Sequence, residues 1–251
     1  MIAARVGARI VTAEAVEWRL LEMRSGLHGA SLPNDGTSEG RQLRRCVAQT
    51  LVLEELVLNE TELRNLAGGV MEDTVSPLPL DAIACLELGT TLALVLRTFP
   101  PARSLYRSVT KEVQVAREEI ERYGERNQDR YRREPARMVL HHQNGRAVNA
   151  GRPYAMHKGD YSGFIGDAVF GAPVGGRVGA MDGHTFIVTA ILGDEMEAEE
   201  LFQLIEGDLV EAARRRFFGL WVESRRAATV TMMPGYEDPA DIRQPDSSHR
   251  H

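Results

Sequence analysis

The sequence predicts an α+β protein, mostly helical, with a strand pair drawn from the two ends of the chain and a small sheet unit near the middle. Three observations carry this. Apolar residues recur at helical spacing over long stretches before residue 126 and after residue 196. Between them, residues 123–192 hold a short apolar run (MVLHH), a Gly-rich turn segment and a closing β-branched run (HTFIVTAIL). Residues 5–11 and 228–233 (ATVTMM) alternate and are the remaining strand candidates, expected to pair with each other. A chain of 251 residues with 43% hydrophobic content has room for two domains. They are expected at residues 1–122 with 196–233 and at residues 123–195, followed by a tail at 234–251.

In chain order, a short strand at 5–11 leads to Thr12, an N-cap type placed just before an apolar-periodic run. The helix it opens, 13–24, is expected to bury Val16, Leu20 and Met23, with Trp18 and Leu21 widening the stripe. Gly, Pro and Asn-Asp make 26–36 a loop. Ser38 then starts a helix to about Asn65, with Leu43, Cys46, Val47, Leu51 and Leu58 inward, Arg44 and Arg45 outward, and Gly68 and Gly69 as its stop. After a Pro-containing linker at 76–80, Asp81 caps a helix at 82–97 that is apolar nearly all round. Pro100 and Pro101 break the chain before a short helix at 102–109 and a charged one near 116–125. Residues 196–227 form the longest late helix, its apolar face Leu201, Leu204, Ile205, Leu209, Phe217, Leu220 and Trp221. The Pro-rich, acidic tail is either disordered or an arm laid on the domain.

Net charge −6 offers no general attraction to phosphate backbones, which excludes nucleic acid as an expected partner. The longest apolar run, residues 90–96, is far too short to span a bilayer, and residues 1–12 lack a signal-type apolar stretch. A soluble, cytoplasmic protein without membrane association is the expectation. Cys46 and Cys85, both on helices among aliphatic residues, read as small buried hydrophobes rather than a disulfide or a catalytic thiol.

The central stretch resembles a shortened parvulin-type peptidyl-prolyl isomerase. Tyr123, Asn127 and Tyr131 stand where that family has an aromatic, an Asn and a second aromatic before its first strand, here 137–141. Gly159-Asp160-Tyr161-Ser162-Gly163 resembles its Gly-Gly-Asp-Leu-Gly turn, and Asp167 to Phe170 its following helix. Val6, Gly7, Ile10, Val16 and Leu20 are spaced like the opening of the SurA and PrsA helical chaperone domains. The resemblance implies a SurA-like helical domain with a terminal strand pair, carrying a truncated parvulin-like sheet domain. It implies prolyl isomerisation or, more broadly, a foldase or protein-binding accessory factor needing no cofactor. It also implies a prolyl groove lined by Met138, Tyr154, Tyr161, Ile165 and Phe170. The family's two facing histidines fall on Met138 and Thr185, with His184 one residue early, so the resemblance speaks for fold more than for activity.

Six of the seven histidines follow residue 140. His141, His142 and His184 with Asp160 are the candidate catalytic groups for acid–base chemistry. Because adjacent strand residues face opposite ways, only one of His141 and His142 can share a pocket. Asp160 between glycines equally suits bonding to its own turn's amides. A divalent transition metal held by His157, His249 and His251 is the alternative for a small-molecule enzyme. A third reading leaves the apolar helices packing across a homo-oligomer.

Overall fold

The computed structural model describes residues 1–66, 78–131, 135–161, 163–179, 182–193, 197–241 and 243, and its fold is α+β with two antiparallel sheets. It divides into two compact units, residues 1–114 with 210–251, and residues 115–209. The stop at Gly68 and Gly69, part of the 76–80 linker, and His249 and His251 lie outside the described residues.

In the first unit, strands β1 (Ile2–Val6) and β2 (Arg9–Thr12) form a hairpin, and β8 (Val230–Met232) adds to the other edge of β1, giving the order β2-β1-β8. Ala4 faces Met232 and Val6 faces Val230, so the two ends of the chain close one sheet. Thr12 caps α1 (Ala13–Ser25), its hydroxyl accepting the Ala15 N–H at 3.1 Å. Val16 and Leu20 are buried as the spacing requires, but Trp18, Leu21 and Met23 are exposed, so the buried stripe is narrower than expected. Helix α2 (Ser38–Leu63) is capped by Thr37, one residue earlier than expected, through the Gly40 N–H. Its buried face runs Val47, Ala48, Val52, Leu53, Leu56 and Val57. That face takes in Arg45, expected outside, and leaves Cys46 exposed.

Asp81 caps the next segment by accepting the Ala84 N–H at 2.7 Å. Gly89, at φ +77° and ψ 151°, splits what reads as one helix into α3 (Ala82–Leu88) and α4 (Thr90–Thr98). Pro100 and Pro101 open α5 (Pro100–Thr110), where a missing N–H costs nothing. The long helix α8 (Ala198–Thr229) contributes the residues from 210 onward, with Phe218 and Val222 buried in place of the expected Phe217 and Leu220. Around Phe218 the core gathers Val6, Val16, Leu20, Val52, Leu56, Leu96 and Leu105. Of the two forms open to the tail, residues 234–241 take the arm: Tyr236 packs on this core and its carbonyl accepts from the buried Gln49 amide at 3.2 Å. Asp238 pairs with Arg226 at 3.3 Å.

The second unit begins with α6 (Arg117–Arg126). Ile120, Tyr131 and Ile205 of α8 make a small cluster of their own, separate from the one on the sheet, and residues 115–209 group as one unit. The sheet runs β4 (Arg146–Ala147), β3 (Ala136–Gln143), β7 (His184–Leu192), β6 (Arg177–Gly179), and β5 (Tyr154–His157) pairs with the other end of the same edge of β3. Asn144 and Gly145, both at positive φ, make the two-residue turn from β3 to β4. Helix α7 (Gly163–Gly171) covers one sheet face through Val169, over Val139, Met156, Phe186 and Val188. Among the described residues no helix is long and apolar enough to cross a membrane.

Candidate functional site: a histidine pair

The covered face of this sheet decides which histidines meet. Along β3, Val139 and His141 share it, whereas Met138, Leu140 and His142 alternate to the other side. Along β7, Phe186 and Val188 lie on it and bring His184 with them, leaving Thr185 on the opposite side with its ladder partner His142. His141 stands opposite Phe186 in the ladder and Gln143 opposite His184. Before β7, the Gly183 carbonyl accepts the Asn144 N–H at 2.9 Å, and a Cβ at Gly183 would lie 2.1 Å from the Asn144 side-chain oxygen. Gly183 also sits at φ +82°, a backbone region that glycine adopts without strain, as the chain enters β7 ahead of His184.

The result is a chain of polar groups on an aromatic base. His141 Nε2 lies 2.6 Å from His184 Nδ1, with ring centroids 4.9 Å apart and planes at 25°. The Tyr154 hydroxyl is 3.2 Å from His141 Nδ1. The His141 ring stacks on Phe186 at 4.4 Å, and Tyr161 meets both imidazoles and Phe186 edge-on, its centroid 4.9 Å from that of Phe186. On the outer side, His184 Nε2 is 3.2 Å from the Gln143 amide and 3.7 Å from Asp182 Oδ2. Asp182 Oδ1 accepts the His184 N–H at 3.4 Å.

His141 is 5% exposed, and burial first, then the neighbouring His184 and His142, push its pKa below the ordinary imidazole value. Burial also lifts the Tyr154 hydroxyl to about 12, so it keeps its proton at neutral pH. With the Gln143 amide nitrogen donating to His184 Nε2, one proton per gap runs in one direction: His184 Nδ1–H donates to His141 Nε2 and His141 Nδ1–H to the Tyr154 oxygen, leaving the Tyr154 O–H for Tyr161. Each such bond contributes about 1 kcal/mol net, and removing one partner strands a buried group at roughly 1–3 kcal/mol.

The other expected site residues fall elsewhere. Asp160 is exposed and accepts the His157 N–H at 2.7 Å, the turn-bonding role; its charge reaches the network only as a weak upward push on Tyr154. His142 is on the other face with Met138, so neither joins the pair. His157 ends β5, paired with Ala136. Tyr161, Ile165 and Tyr154 pack on the cluster beneath the histidines. Phe170 holds the Arg137 guanidinium over its ring at 4.9 Å and, with Pro135, Lys158 and Gly159, lines a separate cavity of about 190 Å³. No three His, Cys, Asp or Glu side chains among the described residues gather as metal ligands, and the set of His157 with His249 and His251 rests on residues outside them. Sequence reading missed Gln143, Asp182 and Phe186. The signal was available: counting by twos from Val139 and Phe186 reaches His141 and His184.

A family of unknown function, DUF7158, matches residues 2–39. No curated protein matches the chain. Two similar solved chains come from work on the virulence factor PEB4 and the periplasmic protein Cj1289, SurA-like chaperones of the human pathogen Campylobacter jejuni. One is 11% identical with a TM-score of 0.45, covering 93% of this chain and 99% of its own. The other is 12% identical with a TM-score of 0.37, covering 91% and 98%.

Proposed function

We propose that the protein is a client-binding foldase of the SurA and parvulin kind, with a prolyl-isomerase-like site on the second unit. The observation that carries this reading is the His141–His184 pair, held at 2.6 Å on Phe186 and bordered by Tyr154 and Tyr161. Rotation about an X-Pro bond faces a barrier of about 18–20 kcal/mol because of amide resonance. An apolar wall of Tyr161 and Ile165 suits a prolyl ring, and the ordered N–H and O–H dipoles of the pair favour a twisted amide over a planar one. Holding of unfolded segments is supported on the first unit by Trp18 and Leu21. They are 65% and 61% exposed on α1 and border a cavity of about 520 Å³.

The test is a proline-isomerisation assay on a short peptide, run beside suppression of aggregation of an unfolded client. Wild type accelerates isomerisation, His184→Ala loses about tenfold or more, and His142→Ala, on the other face, leaves the rate unchanged. Trp18→Ser with Leu21→Ser weakens aggregation suppression alone. A wild type that neither isomerises the peptide nor protects the client removes the foldase reading. A general acid–base enzyme is the second reading, favoured by the hydrogen-bonded run from Tyr154 through His141 to His184, with Asp182 Oδ2 3.7 Å from the outer nitrogen. It requires turnover of a small substrate with a pH profile that Asp182→Asn shifts.

A further inference from the structure

The second unit carries a groove that the histidine pair does not use. It measures about 380 Å³ and runs between α6 and the start of α8, with Ile120, Leu201, Phe202 and Ile205 as its apolar floor and Glu121 and Glu125 on its rim. Ile120 and Ile205 are buried, whereas Leu201 and Phe202 keep part of their surface open.

The chain's own Arg117 shows what this combination of walls takes. Its guanidinium lies over the Phe202 ring at 4.9 Å and donates to Glu121 at 2.9 Å, so one cation meets an aromatic face and a carboxylate at once. Glu125 stands one turn farther along the same face of α6 and has no hydrogen bond or ion pair among the described residues. Arg122 and Arg126 point to the far side of that helix and do not line the groove. Residues 198–208 add four carboxylates and no basic side chain. With Glu121 neutralised by Arg117, the charge left over at the groove is negative, beside a floor that is apolar.

We infer that this groove binds a basic segment of a protein client, one Arg or Lys against Glu125 and an adjacent apolar side chain on Leu201 and Phe202. The partner thereby repeats, one turn on, the arrangement that Arg117 already makes. Only the ligand's being a protein segment rests on the client-binding reading above; the charge preference stands on the groove itself.

The experiment measures fluorescence anisotropy of a labelled peptide alternating Arg with Leu and Ala, together with its Gln and Glu analogues, on the full chain at low and high salt. The basic peptide is expected to bind best and to weaken with salt. Glu125→Gln lowers its affinity about fivefold and Glu125→Lys about tenfold or more. Glu119→Gln, on the far side of α6, leaves it unchanged, and thermal unfolding checks that all three variants remain folded. Equal binding of the Gln analogue, full affinity in both folded Glu125 variants, or an equal loss in Glu119→Gln overturns the inference. Displacement by butylguanidinium at the peptide's own concentration overturns it in favour of a small organic cation. Isomerisation and client protection by Glu125→Lys stay at the wild-type level, so failure of the groove and failure of the foldase reading are told apart.

Discussion

His141 is the residue whose chemistry depends most on its surroundings. Its ring is buried beside Phe186 and is held by Tyr154 on one nitrogen and His184 on the other. Its pKa in the fold is lowered, while in the unfolded chain it is near 6.5. Below about pH 6.5 the unfolded chain therefore takes up a proton that the folded chain declines. Its share of stability is complete above that pH and is lost as pH falls toward the folded value. Denaturant midpoints measured from about pH 8 to about pH 5 should fall more steeply for wild type than for His141→Asn. The His141 ring resonance in NMR should titrate below the ordinary imidazole value. At this scale the sequence supplied the two histidine candidates but not their pairing. It also mistook Arg45 for a surface residue and Leu21 for a core one, because a helical stripe gives a direction and not the depth of what lies there.

Elements were the most legible level. Thr12 and Asp81 cap the helices that their positions announced, since a cap needs only a side-chain oxygen three residues before a free N–H. Asp81→Ala should lower stability by about 1 kcal/mol in urea unfolding. Gly89→Ala should cost roughly 1–3 kcal/mol, because φ +77° with ψ 151° is a backbone region open to glycine and strained for alanine. Local propensity hid the Gly89 break, as the apolar pattern continues across it. The long helix α8 shows a related limit. At about 3.6 residues per turn, Ile205 and Phe218 point to different sides. Each half serves its own cluster, so no single apolar stripe describes the helix.

Over the whole molecule, the first unit is discontinuous in sequence and is closed by contacts between its early and late parts. Strand β8 pairs with β1, and Arg225 of α8 donates to Glu60 of α2 at 2.7 Å, the Glu60 side chain being 2% exposed. Arg225→Met leaves the buried Glu60 carboxylate with only the Arg64 guanidinium, 3.9 Å away, and should cost about 1–3 kcal/mol. Adding Glu60→Leu should recover most of that loss, a double-mutant cycle read from denaturant midpoints. Sequence alone determined the α+β class, the starts of the helices capped by Thr12 and Asp81, and the pairing of the early and late strands, because periodicity and capping are local properties. Which histidines meet was decided only by tertiary structure. A ladder that sets Phe186 opposite His141 and Gln143 opposite His184, with α7 covering one face, turns two separate imidazoles into a pair and leaves His142, Asp160 and Met138 outside it. Register fixes that choice because a one-residue step in either strand sends a side chain to the opposite face of the sheet.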